Sequence, residues 1–354
     1  MYIGCTSPLK AFRIGTNPET GKAVLKIVPY AADHIEYCDG SWQPSYVTIM
    51  SQRATRIIKE FQEVPCGHCL ACRLEYSRQW ANRLMLELEY HDSAYFVTLT
   101  YDQEHVPVSW YDDPSTGEAF PSLTLCVRDV QLWLKRLRKN FSDDHIRYYL
   151  AGEYGPETFR PHYHAIVFGL HLSDLKPWRT SEQGFTYYDS ESLQRTWSVR
   201  DSKGSYAPLG KIVVAPVTWE TCAYTARYVT KKLTGPQAAF YDTYNLTPEF
   251  SIMSRKPGIA KQWYLDHPDC FDYDYINIKT DKGGRKFRPP KYFQSMFEID
   301  EPEKASEFKA RRQRIAKEAQ EAKLLGTSLT YLEYLEVQEK NLEARTKSLI
   351  RSDI

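Results

Sequence analysis

Hydrophobic and polar positions divide this chain into short stretches of period two and longer stretches of helical period. Ala94 to Tyr101 alternates, with Val97 and Leu99 on one face and Thr98 and Thr100 on the other. Arg160 to Gly169 is largely apolar, carries Pro161 near its start and ends at Gly169, the pattern of a buried strand of about 5–6 residues. Ile146 to Tyr154 is also strand-like, and the short connection Gly155 to Arg160 makes the two runs a hairpin. Val24–Tyr30, Tyr46–Met50 and Lys211–Val217 read as further strands. Helical spacing covers Leu74 to Tyr90, with Leu74, Trp80, Ala81, Leu84 and Leu88 on one stripe. Arg73, Arg78 and Arg83 fall off that stripe, on a face that is solvated by default and available to phosphate otherwise. A second helix, Arg128–Lys139, buries Val130, Trp133, Leu134 and Leu137, and a third carries Tyr224 and Tyr228. Residues 102–127, with Pro107, Pro114, Gly117 and Pro121, read as a long functional loop, and residues 170–210 as a second long excursion. This order of elements predicts an α+β fold with a mainly antiparallel sheet.

The chemistry gathers on the hairpin. Side chains two apart on a strand share a face, so His162 and His164 project together and can chelate one divalent ion. Glu153 lies near the end of the preceding strand, where His162 enters the next, and completes a three-ligand set with open positions. A lone His-x-His is more readily a pair of half-buried structural histidines, and only its neighbours change that. Tyr224 and Tyr228 stand one helical turn apart, with Lys231 on roughly the same side. Two tyrosines at that spacing are commonly packing; with a lysine, downstream of His-x-His, they are less common by chance. Two histidines and a carboxylate also form the facial triad of non-haem iron oxygenases. That reading leaves the tyrosine pair and lysine unexplained.

Cys66, Cys69 and Cys72 are spaced as C-x-x-C-x-x-C, a thiolate-ligand grammar that needs a fourth ligand for zinc. His68 is poorly placed, between two ligands of one tight loop. An iron–sulfur cluster or free thiols are the alternatives. Cys38, Cys126, Cys222 and Cys270 are isolated. The 354 residues allow two domains or one core with appendages, and 42% hydrophobic with 26% charged residues is ordinary for a soluble protein. A net charge of +1 gives no support to nucleic-acid binding, so any such surface must arise from uneven charge. Aromatic residues, 14% with 26 Tyr, would suit base stacking and also suit a core. No stretch approaches the roughly 18 apolar residues of a membrane span, and the start lacks a signal-peptide pattern, so a cytoplasmic protein with no membrane partner is expected.

Residues 279–291 concentrate Lys279, Lys282, Arg285, Lys286, Arg288 and Lys291 against Asp281, with Gly283-Gly284 as a flexible tip. Arg285, Lys286, Arg288 and Lys291 are the candidate DNA contacts; a solvated charged hairpin is the alternative. Beyond residue 300 the charges balance and two helices follow, divided at Gly326, with Thr330 and Glu333 spaced as a capping box. The expected domains are a lead-in with the cysteine segment at 1–75, a core at 76–240, a basic extension at 241–300 and a helical tail at 301–354.

Phe96-Val97-Thr98-Leu99-Thr100-Tyr101, the His162-Tyr163-His164 strand and the Tyr224/Tyr228/Lys231 helix resemble, in order, the three motifs of HUH rolling-circle replication initiators. More narrowly the chain resembles the replication initiation proteins of gokushovirus-type microviruses. That resemblance includes Cys66-Gly67-His68-Cys69-Leu70-Ala71-Cys72-Arg73 and Met253-Ser254-Arg255-Lys256-Pro257-Gly258-Ile259.

The resemblance implies an HUH-type sheet flanked by helices and an endonuclease that nicks single-stranded DNA at a phage origin. A free phenol, with a pKa of about 10, is a weak nucleophile at neutral pH. Mg²⁺ or Mn²⁺ on Glu153, His162 and His164 would therefore assist attack by Tyr228, giving a 5′-phosphotyrosine and a 3′-hydroxyl primer. Tyr224 would act in the second transfer, and Lys231 would stabilise phosphate charge. Cys5, in a Cys-x-x-Pro start that resembles the family's, becomes the fourth ligand of a structural Zn²⁺. The implied partners are origin DNA, a host DNA polymerase and, since no G-x-x-x-x-G-K-[ST] occurs, a host helicase, all in the bacterial host's cytoplasm. A zinc-dependent DNA-binding regulator without catalysis is the competing reading.

Overall fold

The structure is a computed structural model that describes residues 4–19, 21–113, 115–155, 157–181, 184–200, 204–228, 232–233, 235–280 and 283–346, without the side chains of Tyr228 and Thr280. Lys231 and Lys282, both singled out in the sequence, lie outside the described residues, as does the side chain of Tyr228. The chain forms two compact units, residues 1–75 with 311–354, and residues 76–310.

The first unit opens with β1 (Leu9–Thr16), β2 (Ala23–Pro29), β3 (His34–Cys38), β4 (Ser41–Ser45), β5 (Arg56–Ile58) and β6 (Gln62–Val64). They form two antiparallel sheets, ordered β2-β1-β6 and β4-β3-β5, over a small core of Phe12, Val28, Ala32 and Ile35. The strand expected at Tyr46–Met50 is absent: β4 ends at Ser45, and Tyr46, Val47 and Ile49 are exposed. The turn decides this. Asp39 and Gly40 both take positive φ (50° and 82°), the two-residue turn that pairs Cys38 with Ser41, so β4 runs out of partner at His34. His34 is fully buried, with Nδ1 2.8 Å from Asp33 and Nε2 2.9 Å from Glu36. Helix α1 (Leu70–Leu88) follows, and the boundary between the units falls within it.

The second unit is built on a sheet. Its strands, with the elements between them, are β7 (Ala94–Thr100), the hairpin β8 (Val108–Asp112) and β9 (Ala119–Leu123), α2 (Val127–Asn140), β10 (Arg147–Tyr154), β11 (Pro161–Phe168), β12 (Lys176–Thr180) and β13 (Thr186–Asp189). There follow α3 (Glu191–Gln194), the small pair β14 (Ser198–Arg200) and β15 (Tyr206–Pro208), then β16 (Ile212–Pro216), α4 (Trp219–Tyr228), α5 (Ala239–Thr243) and β17 (Phe250–Met253). Seven strands run antiparallel in the order β12-β13-β16-β7-β11-β10-β17. The mixed α/β, antiparallel character expected from the pattern is what the chain adopts. The run 102–127 is not irregular throughout, since it contains the β8–β9 hairpin.

Strand alternation splits the core. Val97, Leu99, Tyr163, Ala165 and Val167 face one side with Trp133, Leu134 and Leu137 of α2. Phe96, Ile166, Phe168 and Tyr149 face the other with Trp80 and Leu84 of α1 and Cys222, Ala223 and Ala226 of α4. Gly169 ends β11 at φ +65°, where a Cβ would stand 2.8 Å from the His145 carbonyl. Gly210 lets the chain entering β16 lie against β7, because a Cβ there would meet the Thr100 oxygen at 2.1 Å.

The unit closes with α6 (Lys261–Asp266), the hairpin β18 (Ile276–Thr280) and β19 (Gly283–Phe287), and α7 (Lys291–Asp300). Arg83 does not lie on a solvated face. Its guanidinium is sandwiched 4.1 Å from the Trp80 and Tyr292 rings and donates to the Ile259 carbonyl at 2.9 Å. Burial lowers its pKa to about 10. The helical stripe identified Trp80 as buried but could not show that Tyr292, far along the chain, covers its neighbour.

Helices α8 (Pro302–Leu324) and α9 (Tyr331–Thr346) end the described chain, and from Arg311 onward they belong to the first unit. The capping box is present: Thr330 N donates to Glu333 Oε2 at 2.8 Å and Glu333 N approaches Thr330 Oγ1 at 3.5 Å. None of the described helices is long and apolar enough to cross a membrane.

Candidate active centre and cysteine cluster

The register of β10, β11 and β7 builds the centre. Glu153 pairs with His162, His162 with Thr100, and His164 with Thr98, so all five side chains leave the same sheet face. Glu153 Oε1 stands 2.7 Å from His162 Nε2 and 3.2 Å from His164 Nε2. One ligand atom from each of the three residues lies within 4.8 Å of the others. The Nδ1 atoms are directed elsewhere. That of His162 donates to the Arg160 carbonyl at 3.1 Å, and that of His164 meets Thr98 Oγ1 at 3.0 Å. Both Nε2 atoms are thereby turned toward the carboxylate, the orientation a shared cation requires.

The three donors differ in exposure. Glu153 and His164 are each only 2% exposed, while the His162 side chain keeps 20%. Burial pushes the Glu153 carboxyl up, but the hydrogen bonds and charge of His162 and His164 outweigh it and hold the pKa at about 2. The carboxylate is therefore ionised at any working pH.

Helix α4 packs over β10 and β11 and delivers Tyr224. Its ring lies 5.2 Å from that of His164, edge to face, and 6.2 Å from Phe96. Phe96 in turn stacks on His164 at 5.4 Å and 6°. His164 is thus contacted by two adjacent aromatics, Phe96 stacked and Tyr224 edge to face, and by a hydroxyl at Nδ1. The sequence pattern singled out neither Phe96 nor Thr98 for this supporting role. The signal available was the shared phase of Thr98 and His164, which needs the pairing register before it means anything.

The basic hairpin is placed close to α4 by one contact. The Arg285 guanidinium stacks 3.6 Å from the ring of Trp219, the first residue of α4. Lys286 is exposed with its ammonium 4.1 Å over Tyr275, and Arg288 and Lys291 are exposed as well.

The second cluster belongs to the other unit. Cys5, Cys66, Cys69 and Cys72 bring their four sulfurs within 4.8 Å of one another. Cys5 Sγ is 3.6 Å from Cys66 Sγ and 3.8 Å from Cys69 Sγ. With Zn–S of about 2.3 Å, the edge of a tetrahedron is about 3.8 Å, so these separations fit a zinc ion. The cluster could hold such a metal. Backbone amides of Cys66 and Cys69 point at the sulfurs of Cys5 and Cys66, each at 3.3 Å, and would neutralise thiolate charge. Hydrogen bonds from Cys5 and Cys72 push the Cys69 thiol down, and the bond to Cys69 pushes Cys5 up. His68 stays out of the group, exposed and bonded to the Cys66 carbonyl. The other four cysteines are free thiols elsewhere.

Residues 94–233, which hold the Glu–His–His centre and α4, match the family model of replication-associated proteins of the ORF2 type. The chain is 32% identical over 296 residues to Replication-associated protein ORF2 of Spiroplasma virus 4, covering 81% of this chain and 85% of that one. It is 30% identical over 265 residues to Replication-associated protein VP4 of Bdellovibrio phage phiMH2K, covering 73% and 74%. Replication-associated protein ORF4 of Chlamydia phage 1 is 26% identical over 273 residues. No solved structure matches the chain. With likeness of that extent, running through the Glu–His–His centre and well beyond it, the chain belongs to this family, the phage replication-associated proteins of the ORF2 type.

Proposed function

We propose that this protein initiates phage replication by nicking single-stranded DNA with a tyrosine of α4, leaving a 5′-phosphotyrosine and a 3′-hydroxyl. The observation that carries the reading is the convergence of Glu153, His162 and His164 on one point with the Tyr224 ring against His164. Two imidazoles and one ionised carboxylate suit a divalent cation, Mg²⁺ or Mn²⁺. When bound, it supplies charge neutralisation at a phosphate oxygen. The chain's own residues do the rest. The Arg160 carbonyl keeps the proton on His162 Nδ1, Thr98 Oγ1 anchors His164 Nδ1, and Phe96 fixes the plane of His164. The attacking phenolic oxygen forms a bond to phosphorus and gives up its proton. The bond from phosphorus to the 3′ oxygen breaks, and that oxygen leaves to take up a proton. The phosphodiester linkage is exchanged rather than hydrolysed, which permits religation.

The family resemblance assigns the first cut to Tyr228, with Lys231 beside it, and the second transfer to Tyr224. The placement of the Tyr224 ring favours a second reading in which Tyr224 makes the first cut. Adduct yield on a single-stranded origin oligonucleotide with Mn²⁺ separates them. Tyr228→Phe should remove most SDS-resistant adduct under the first reading and Tyr224→Phe under the second. A Tyr224→Phe/Tyr228→Phe double variant that still forms adduct would refute the tyrosine mechanism. Cys5, Cys66, Cys69 and Cys72 would hold a structural zinc, and Arg285, Lys286, Arg288 and Lys291 would contact DNA. Host helicase and polymerase would unwind and extend.

A further inference from the structure

Beyond the catalytic strands, the same sheet face continues onto a surface formed by part of the excursion 170–210. Antiparallel register carries the phase across. Val213 pairs with Thr98, so Lys211, two residues earlier, shares the face of Thr98 and Thr100. Tyr188 pairs with Val214, which puts Tyr187 and Asp189 on that face. Arg179 pairs with Tyr187 and Lys176 with Asp189, and Trp178 sits at the irregularity beside Arg179. At about 4.8 Å per strand, β13 and β12 lie roughly 14 and 19 Å across the sheet from β11.

These residues form one cation–aromatic group. The Lys211 ammonium sits 3.2 Å from the Trp178 ring centroid, and the Arg179 guanidinium lies 5.1 Å from Trp178 and 5.4 Å from Tyr187. Asp189 takes Lys211 at 3.4 Å, leaving Lys176 and Arg179 to give the group a positive balance. Every residue of β12 is exposed, Trp178 by 42%, and Phe185 in the β12–β13 turn by 43%. Lys176, Pro177 and Arg179 guard this edge against pairing with another strand and leave the Trp178 indole exposed beside cations. Rings with flat faces and neighbouring cations match unpaired bases on a phosphate backbone.

We propose that the outer face of β12 and β13 is a single-stranded DNA platform, with Trp178 and Tyr187 stacking bases, Lys211 backing the Trp178 ring, and Lys176 and Arg179 meeting phosphates. It rests on the reading of the protein as a nuclease of single-stranded DNA and says where the strand lies beside the Glu153–His162–His164 centre. The occupant is DNA rather than a protein because the charge is positive and the surface continues, strand by strand, from the catalytic face.

The test is binding of fluorescein-labelled oligo(dT), which lacks an origin, by anisotropy without chelator or added divalent cation, across a salt series. Trp178→Ala should weaken binding about tenfold. Lys176→Ala with Arg179→Ala should weaken it and lower the slope of log affinity against log salt by about one per residue. Trp110→Ala, an exposed tryptophan on β8, should leave binding unchanged and controls for loss of any surface aromatic. Thermal melts of each variant show that the fold is kept. Variants that bind as wild type does, or a wild-type protein that does not bind oligo(dT), overturn the platform; a protein partner would then be the occupant to seek. The nuclease reading is scored separately by adduct formation. Adduct without an effect of Trp178→Ala sinks only the platform, and weakened binding without adduct sinks only the nuclease.

Discussion

Among the described residues two groups could hold a metal ion, and they differ in almost every respect that matters. The cysteine cluster offers four soft sulfurs, enough to close a tetrahedral site, from a tight loop and one residue near the chain start. The Glu–His–His centre has three harder ligands, an open side and a tyrosine against it, all borne on paired strands and a packed helix. Four ligands leave a metal nothing to do but hold the chain together, whereas three leave a place for substrate.

The largest effect should come from breaking the closed cluster. Cys69→Ser or Cys66→Ser is expected to abolish soluble protein, since structural zinc contributes on the order of 10 kcal/mol of folding free energy. Elemental analysis of wild-type protein prepared without chelator should find about one zinc per chain; none would remove the basis for the comparison.

The open centre should fail differently. His162→Ala is expected to lower adduct formation on the order of a hundredfold or more while moving the melting temperature by less than about 2 °C, because the ring is partly exposed. His164→Ala is not the clean counterpart that two half-exposed histidines would offer. Its ring is buried against Phe96 and Tyr224, and its removal also takes a partner from Thr98 and one of two histidine partners from Glu153. Alongside lost cleavage it should cost about 2 kcal/mol or more of stability, read by denaturant titration. Glu153→Gln should weaken metal dependence less completely than either.

Thr98→Val tests the support rather than the ligands. Losing the bond to His164 Nδ1 is expected to reduce Mn²⁺ affinity about 10- to 100-fold, measured by calorimetry, with little change in fold. Unchanged affinity would mean that Phe96 alone holds the ring.

The smallest effect is a pH window in the first unit. Burial tends to lower His34, but the hydrogen bonds to Asp33 and Glu36 outweigh it and raise its pKa above the ordinary 6.5. The bonds from His34 and the Ser51 amide lower Glu36 below 4.5. Stability from His34 is therefore full below about 6.5 and lost as pH rises through its raised value. That from Glu36 is full above about 4.5 and lost as pH falls through its lowered value. Hydrogen-exchange protection of β3 should be greatest between those limits, and His34→Gln should flatten the profile.

Much of the centre was legible because strand chemistry is local. A period of two puts His162 and His164 on one side whatever surrounds them, and a short connection brings Glu153 opposite His162. The spacing of three cysteines is local in the same way, and so is the box of Thr330 and Glu333. The ordered motifs and the cysteine stretch were enough to point to the family. Contacts between residues far apart in the chain were not legible, since no short-range pattern encodes them. Tertiary structure alone decided that Tyr292 would cover Arg83 and that Phe96 and Tyr224 would both meet His164. It also decided that Lys211 would reach Trp178 across β13. Sequence fixes the phase of each strand, and only the pairing of strands turns phase into a face.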